Sequence, residues 1–555
     1  MRAQLICSLA YLASLVSALS CDPYERPQLA ITTPARGALI PSEEYVEVLI
    51  TGPSDQLGQV VIDEGLSVGY REDRARQIAL INPPSQGLGF VSAELPGDPY
   101  LVNRSWLQGT FVPSTSWYPN TLTLRVTGPE LNEGGSSIAG LIRATLLNTE
   151  LASFVQPIEV DLELDRAQII IESAVIEEMS LSLSVTDDQL SVSLELTPLR
   201  LSYRIEGLIN STGQGHYERV SMSAGTRVET TGVTLLNPEV ELSQLMVQDD
   251  QIPGFLLNPI LDALRSEFQR TISDAIVEVT HEVTAQLFTQ LRPTLGLALS
   301  RPITQETELI AVAPINGGLE LSYQTKVGAL QSSVSQLGAG ALLASPPSQA
   351  ITGEGASVHI GRPLLNQFAF AAWDAGNFLD LTYTLPELQA LGLGALAFPY
   401  SNLERAKVDL LLPPIAGWDE GGAYLELGEV QIDLKIGLSK NTKAWTAARV
   451  PIRLDLSGGG VRVVVDERRQ ITTRPIMLNQ LSVLAERDEV LKLIHAALPG
   501  VVSDVFGLLP IISIPRLQVQ GLPNAPTLTI NPRVTGVAEA TEQWRVDLNL
   551  DIETF

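Results

Sequence analysis

The sequence predicts an α+β protein with an internal duplication, preceded by a smaller all-β module. Three observations carry this. Residues 258–292 read as one long amphipathic helix set among β-rich sequence. The segments before it change to a period of two, the mark of half-buried antiparallel strands. The order helix, strand meander, helix then occurs a second time further along the chain.

In the long helix, Asn258 supplies the N-cap, Pro259 fits the first helical position and Pro293 ends the run. Ile260, Leu264, Phe268, Ile272, Ile276, Val279, Val283, Leu287 and Leu291 recur at three- and four-residue steps and form a single apolar stripe. At 1.5 Å per residue the helix would be roughly 50 Å long. An ordinary core helix or a coiled-coil arm would carry the same stripe, so its neighbours must decide. A long, curled antiparallel sheet can bury a stripe of that length.

The 555 residues have room for about two to four domains. A hydrophobic content of 45% with 18% charged residues describes an ordered globular protein with a large core. A net charge of −27 excludes a nucleic-acid binder and simple electrostatic attachment to anionic lipid, so any lipid contact must be apolar. Cysteine occurs at positions 7 and 21 alone, and histidine at 216, 281, 359 and 495, which excludes a disulfide framework and disfavours structural zinc. Arg2 precedes a mainly apolar run from Leu5 to Val16 and then Ala18, Leu19, Ser20 and Cys21. This resembles a bacterial signal peptide ending in a lipobox, with Ala18 where leucine is usual. Cys21 would be lipidated as the first mature residue. Cleavage at a small residue with plain secretion is the alternative. No later stretch reaches about 18 uninterrupted apolar residues, so no spanning helix is expected.

From Gln28 to about Val126, LAITTPARGALI, YVEVLITG, GQVVID and TLTLRVTG supply short strands separated by Gly, Pro and Ser. ITTPARGA and WYPNTLTLRVTG resemble bacterial immunoglobulin-like modules, which implies a spacer or an adhesion module. Leu131, Ile138, Leu141, Ile142 and Leu146 then fall at helical spacing, loosened by Gly134, Gly135 and Gly140. VDLEL, MSLSLSV, LSVSLELT and LRLSYRIEG follow as period-two strands, with NSTG and DDQ as turn-like connections. After the long helix the plan repeats. VHIGRPLLNQFAFAAWDAG reads as a helix with Leu364, Leu365, Phe368, Ala372 and Trp373 on its apolar side. FLDLTYT, AKVDLLL, YLELGEVQIDLKIGL, ARVPIRLDL and VRVVVD read as strands. A helix from about Asp488 to Phe506 carries Val490, Leu491, Ile494, Leu498, Val501, Val502 and Val505, kinked at Pro499. Strands around LQVQGL, PTLTINP and WRVDLNLDI close the chain.

This order resembles the family of bactericidal/permeability-increasing protein, lipopolysaccharide-binding protein and cholesteryl ester transfer protein, the tubular lipid-binding (TULIP) proteins. LTLRVTGPELNEGGSSIAGLIRATL is similar to the family's opening strand and first helix, and VHIGRPLLNQFAFAAWDAGNFLDLTYTLP to the start of its second barrel. VLKLIHAALPGVVSDVFGLLPIISIPRLQVQGL is similar to the proline-bearing last helix and closing strand. The resemblance implies two tandem half-barrels forming a boomerang, each a long twisted sheet wrapped on a long helix and holding the acyl chains of one lipid. Two departures limit what it carries over. The first barrel lacks cysteines for the disulfide often found there, and the chain is acidic where the bactericidal members have basic tips. Lipid binding is carried over; antibacterial or lipopolysaccharide-neutralising activity is not.

The expected organisation is a signal peptide (1–20), a lipidated tether (21–27), an immunoglobulin-like β-sandwich (28–126) and a first barrel (127–300). A connecting, central-sheet segment (301–356) and a second barrel with the closing strands (357–555) follow. Candidate lipid-lining residues are Ile138, Leu141 and Ile142 from the first helix and Leu264, Phe268, Ile272, Ile276 and Val279 from the long one. The second barrel offers Phe368, Trp373, Leu491, Ile494 and Leu498. The expected partners are a phospholipid or other acyl-chain lipid as ligand, with no cofactor and no nucleic acid, and a membrane surface reached through the anchor. The expected place is the bacterial cell envelope. The alternative is an envelope adhesion or scaffold protein with filled barrels, which binds a protein or glycan through the immunoglobulin-like module.

Catalytic motifs are set aside. His281 and Glu282 begin like a zincin helix, but Ala285 stands where the second histidine is required. Gly65-Leu66-Ser67-Val68-Gly69 matches a nucleophile elbow but lies in strand-rich sequence without the alternating helices of an α/β-hydrolase. Asp187-Asp188 and Asp249-Asp250 read as turns, with a weak calcium site as the other possibility.

Overall fold

A computed structural model of the chain describes residues 29–554, except 249–269, 272, 279, 282–298 apart from Ala285, 335–339, 345–354, 480–484, 507–516, 520–527 and connecting stretches of one to four residues. The first 28 residues, with the leader and Cys21, lie outside it, as do Leu264, Phe268, Ile272 and Val279.

A central antiparallel sheet of seven strands gathers distant parts of the chain. Its order is Ile303–Ile315, Gly318–Ala329, Tyr118–Thr127, Ala356–Gly361, Gln543–Thr554, Leu528–Ala540 and Leu517–Val519. Tyr118–Thr127 is paired along both edges, placing Leu122, Leu124 and Val126 in the core. TLTLRVTG therefore belongs to this sheet and not to the N-terminal module, whose own strands run only as far as Leu101–Gln108.

That module has two four-stranded sheets. One is ordered Ala30–Thr33, Val46–Thr51, Arg76–Ile81, Ser67–Asp73; the other Ala38–Ile40, Leu101–Gln108, Gly87–Glu94, Val61–Ile62. Val48, Ile50, Ile62, Ile81, Val91 and Trp106 fill the space between them. Ser67 opens a strand, which is not the strand-to-helix corner that an elbow nucleophile needs.

Two further sheets flank the central one. The first runs Ile158–Leu162, Asp165–Thr186, Gln189–Glu206, Ser211–Tyr217, Leu245–Gln248, with Val220–Glu229 also against Gln189–Glu206 and Gly232–Leu242 beyond it. LSVSLELT and LRLSYRIEG, read as separate strands, form one strand of 18 residues. Pro198, which has no N–H to donate, sits where the partner changes: residues 190–196 pair with Val220–Glu229 and residues 199–205 with Ser211–Tyr217. NSTG, read as a turn, instead begins the strand Ser211–Tyr217. Gly213 lies under the Tyr203 ring, where an added Cβ would come within 2.3 Å of the hydroxyl, so the strand's weak apolar pattern reflects packing need.

The second flanking sheet runs Leu381–Thr384, Leu403–Leu410, Gly422–Ile436, Lys440–Ser457, Gly460–Val465. Ile415–Asp419 pairs with Gly422–Ile436, and Thr472–Thr473 and Met477–Leu478 pair with Lys440–Ser457. One continuous apolar core passes through both flanking sheets and the central sheet.

The N-terminal module is docked on the second flanking sheet and does not stand off as a free spacer. Gly422–Ile436 bulges between Leu427 and Val430, and Glu429 there takes a left-handed backbone (φ 46°). Such a conformation costs roughly 1–2 kcal/mol in a residue with a side chain. Its carboxylate, 1% exposed, accepts bonds from the Ser105 amide and the Arg36 guanidinium. Asn103 Nδ2 donates to the carbonyls of Trp445 (2.8 Å) and Pro475 (2.7 Å), and Arg36 lies 4.5 Å from the Trp445 ring centre. Removing one partner of a buried ion pair is expensive, so Arg36→Ala is expected to cost about 3 kcal/mol. Urea unfolding measures that cost, and limited proteolysis should release the module first.

His359 lies in the middle of the central sheet, 4% exposed, with its Nε2 3.1 Å from the Ser357 hydroxyl. Burial, then the nearby Arg125 and Arg545, push its pKa down to about 4. The unfolded chain takes up this proton near pH 6.5, so the stability due to neutral His359 is complete above about that pH. It is lost as pH falls toward about 4, by up to about 3 kcal/mol. Unfolding free energies at about pH 7 and about pH 4.5 should differ less in His359→Asn than in the parent.

Candidate functional site

The candidate site is the pair of apolar interiors under the flanking sheets. In the first, alternation turns Leu190, Val192, Leu194, Leu196, Leu199, Leu201, Tyr203 and Ile205 inward, while Ser193, Glu195, Thr197, Arg200 and Arg204 face out. The neighbouring strand adds Ile169, Ile171, Met179 and Leu183 to the inner face. Outside, Arg200–Glu177, Arg204–Glu172 and Arg219–Glu195 pair across strands, each exposed and worth about 1 kcal/mol at most.

Two helical segments close this interior. Ser137 Oγ accepts the Gly140 amide and caps the helix Ile138–Leu147. Just before it, the Asn132 side chain both donates to the Leu183 carbonyl and accepts the Leu183 amide, fixing the start of the helix to the C-terminal end of Asp165–Thr186. Ile138, Ala139, Ile142 and Leu146 are buried there. In the described part of the expected long helix, Arg270, Asp274, Glu278 and His281 face solvent while Ala275, Ile276 and Thr280 are buried; of the expected stripe, Ile276 lies among them and the other members lie outside the described residues. His281 therefore belongs to a solvated face. Buried polar atoms here include those of Tyr203, Tyr217 and Thr280, and burial alone raises the Tyr217 phenol above its usual range.

In the second interior, the helix Ala485–Phe506 buries Val490, Leu493, Ile494, Ala497, Leu498, Val501 and Val502 against Gly460–Val465 and Lys440–Ser457. Leu491 is half-buried. Gly500 lets this helix approach Leu391 and Tyr383: an added Cβ would lie 2.7 Å from Leu391 Cδ1. Glu489, near the start of the helix, accepts the Lys492 ammonium and the Ala397 amide, each at 2.8 Å, and these hold its carboxyl below the usual range. His495 is half-buried, and burial lowers its pKa.

The structure buries Ile138, Ile142, Ile276, Ile494 and Leu498 in one continuous core, with Leu491 packed against it, and sets Leu491, Ile494 and Leu498 on the final helix. Leu141 lies on the first helix, and its side chain is outside the described residues. Phe368 and Trp373 are buried on another helix, Arg362–Asp374, beneath the central sheet, where the Trp373 indole donates to the Leu410 carbonyl at 2.8 Å. Sequence reading did not single out Met179, Met222, Tyr203 or Tyr217, which period-two alternation could have supplied. Among the described residues, no helix is long and apolar enough to cross a membrane and no His, Cys, Asp and Glu side chains cluster for a metal.

No family model matches the chain, and no curated protein does. Among solved structures it is similar to a crystal structure of lipopolysaccharide binding protein, at 13% identity and a TM-score of 0.39, over 78% of this chain and 99% of that one. It is also similar to P47 from Clostridium botulinum A2, at 8% identity and a TM-score of 0.22, over 79% of this chain and 98% of that one. Both scores lie below one half, so the functional reading rests on the geometry of this chain alone.

Proposed function

We propose that the chain is a non-enzymatic lipid-binding protein of the bacterial cell envelope, exported and tethered through Cys21, with acyl chains held in its two apolar interiors. The observation that supports this most is the inward row from Leu190 to Ile205, apolar apart from one tyrosine and turned toward the helices that bury Ile142 and Ile276. Burying a tail there contributes about 0.8 kcal/mol per methylene, so affinity comes from the lining and not from charge. The outer faces and the net charge of −27 oppose attraction to an anionic surface, which favours a phospholipid of low net charge as ligand. Each interior takes one lipid and carries it between membranes.

Native mass spectrometry of protein purified without detergent should show phospholipid, up to two molecules per chain. Ile276→Trp should remove one and Leu498→Trp the other, each leaving the second in place. Lipid-free protein that also fails to move fluorescent phospholipid between vesicles would sink the proposal.

The burial of Phe368 and Trp373, with the indole already bonded, favours a second reading for that part of the chain: an interior filled by its own side chains, as in a scaffold or adhesion protein. Under it, Leu498→Trp leaves lipid content unchanged and destabilises the fold.

A further inference from the structure

Where the N-terminal module meets the second flanking sheet, a cleft of about 240 Å³ opens between two layers. Leu88 and Phe90, from Gly87–Glu94, form its apolar side. Arg449, Thr472, Thr473 and Arg474, from and beside strands of the second sheet, form its polar side. The volume falls just below the roughly 300–1,000 Å³ of pockets for drug-sized ligands, so the occupant is small.

Its charges are unusual for so acidic a chain. Glu426 also lines the cleft, but its carboxylate is engaged by Arg449 at 2.7 Å, and Arg449 is further held over the Tyr424 ring at 4.0 Å. Arg474 has a different setting. Its backbone is fixed, the amide donating to the Ala447 carbonyl and the carbonyl accepting from Thr446 Oγ1. Among the described residues, its guanidinium has one neighbour of note, the Phe90 ring with its centre 5.8 Å away, and no carboxylate. Two arginines against one glutamate leave the cleft with one positive charge, and the guanidinium fork matches an oxyanion pair.

We propose that this cleft binds a small monocarboxylate with an apolar body, its carboxylate on Arg474 and its body against Leu88 and Phe90. One net positive charge suits a monoanion; a phosphate dianion would leave charge uncompensated in a chain that is already at −27. The site is separate from the two interiors, so its occupancy does not depend on bound lipid. The ligand bridges two layers whose other links include Glu429, Asn103 and Arg36, so occupancy also tightens the docked module.

Equilibrium dialysis of the full chain tests this with benzoate at millimolar concentration, alongside acetate, inorganic phosphate and benzyl alcohol. Benzoate should bind saturably at one site per chain, ahead of the other three. Arg474→Ala and Arg474→Gln should weaken it roughly ten- to hundredfold, the loss of a charge-assisted bond. The Arg474 side chain is exposed, so melting temperature and lipid content should not change. The proposal is overturned by absence of benzoate binding, by equal binding in both variants, or by phosphate binding as tightly as benzoate.

Discussion

The pairing of Tyr118–Thr127 along both of its edges is the constraint on which the rest depends. This strand leads out of the N-terminal module and into the first helix, and it lies between Gly318–Ala329 and Ala356–Gly361. Those two strands come from opposite sides of the segment that joins the flanking sheets. Beyond Ala356–Gly361, the strand Gln543–Thr554 brings the far end of the sequence into the same sheet. Backbone groups in the middle of a buried sheet have no other partners. The flanking sheets therefore cannot shift independently at their roots, and the apolar core runs through all three.

Around that anchor, alternation does most of the sorting. Long strands with strict period two place aliphatic side chains on one face and serine, glutamate and arginine on the other. The inward face can close only against something apolar and extended. The helices over it provide part of that cover, and a lipid tail is the proposed remainder. The same logic explains why charge lies outside, in exposed cross-strand pairs that contribute little to stability. The buried pair at Glu429 is a different case: its left-handed backbone is tolerated because the carboxylate receives both an amide and a guanidinium from the docked module.

What depends on local periodicity was legible in the sequence. Ile138, Ile142 and Ile276 follow helical spacing and are buried together, and the final helix was located to within three residues of its start at Ala485. What depends on distant pairing was not. LSVSLELT and LRLSYRIEG read as separate strands, whereas the chain runs through Pro198 as one strand and changes partner there. Ser211–Tyr217 carries too few apolar residues to announce itself, because two of its inward positions are glycines. TLTLRVTG fits a sandwich edge as well as a central strand, and only the residues at 318–329 and 356–361 decide between them. Phe368 and Trp373 were recognisable as buried, but their place beneath the central sheet depends on Leu410 and on the strand Gly318–Ala329. The cleft at Arg474 joins residues more than 350 positions apart, from Leu88 to Arg449, and no short motif encodes it.

The most direct measurement is an experimental density map of the protein purified without detergent, examined between residues 270–281 and the row from Leu190 to Ile205. The account predicts elongated, unbranched density lying along that row, distinct from any side chain. Well-ordered side chains meeting across the full width of the interior, with no such density in either half, would contradict it.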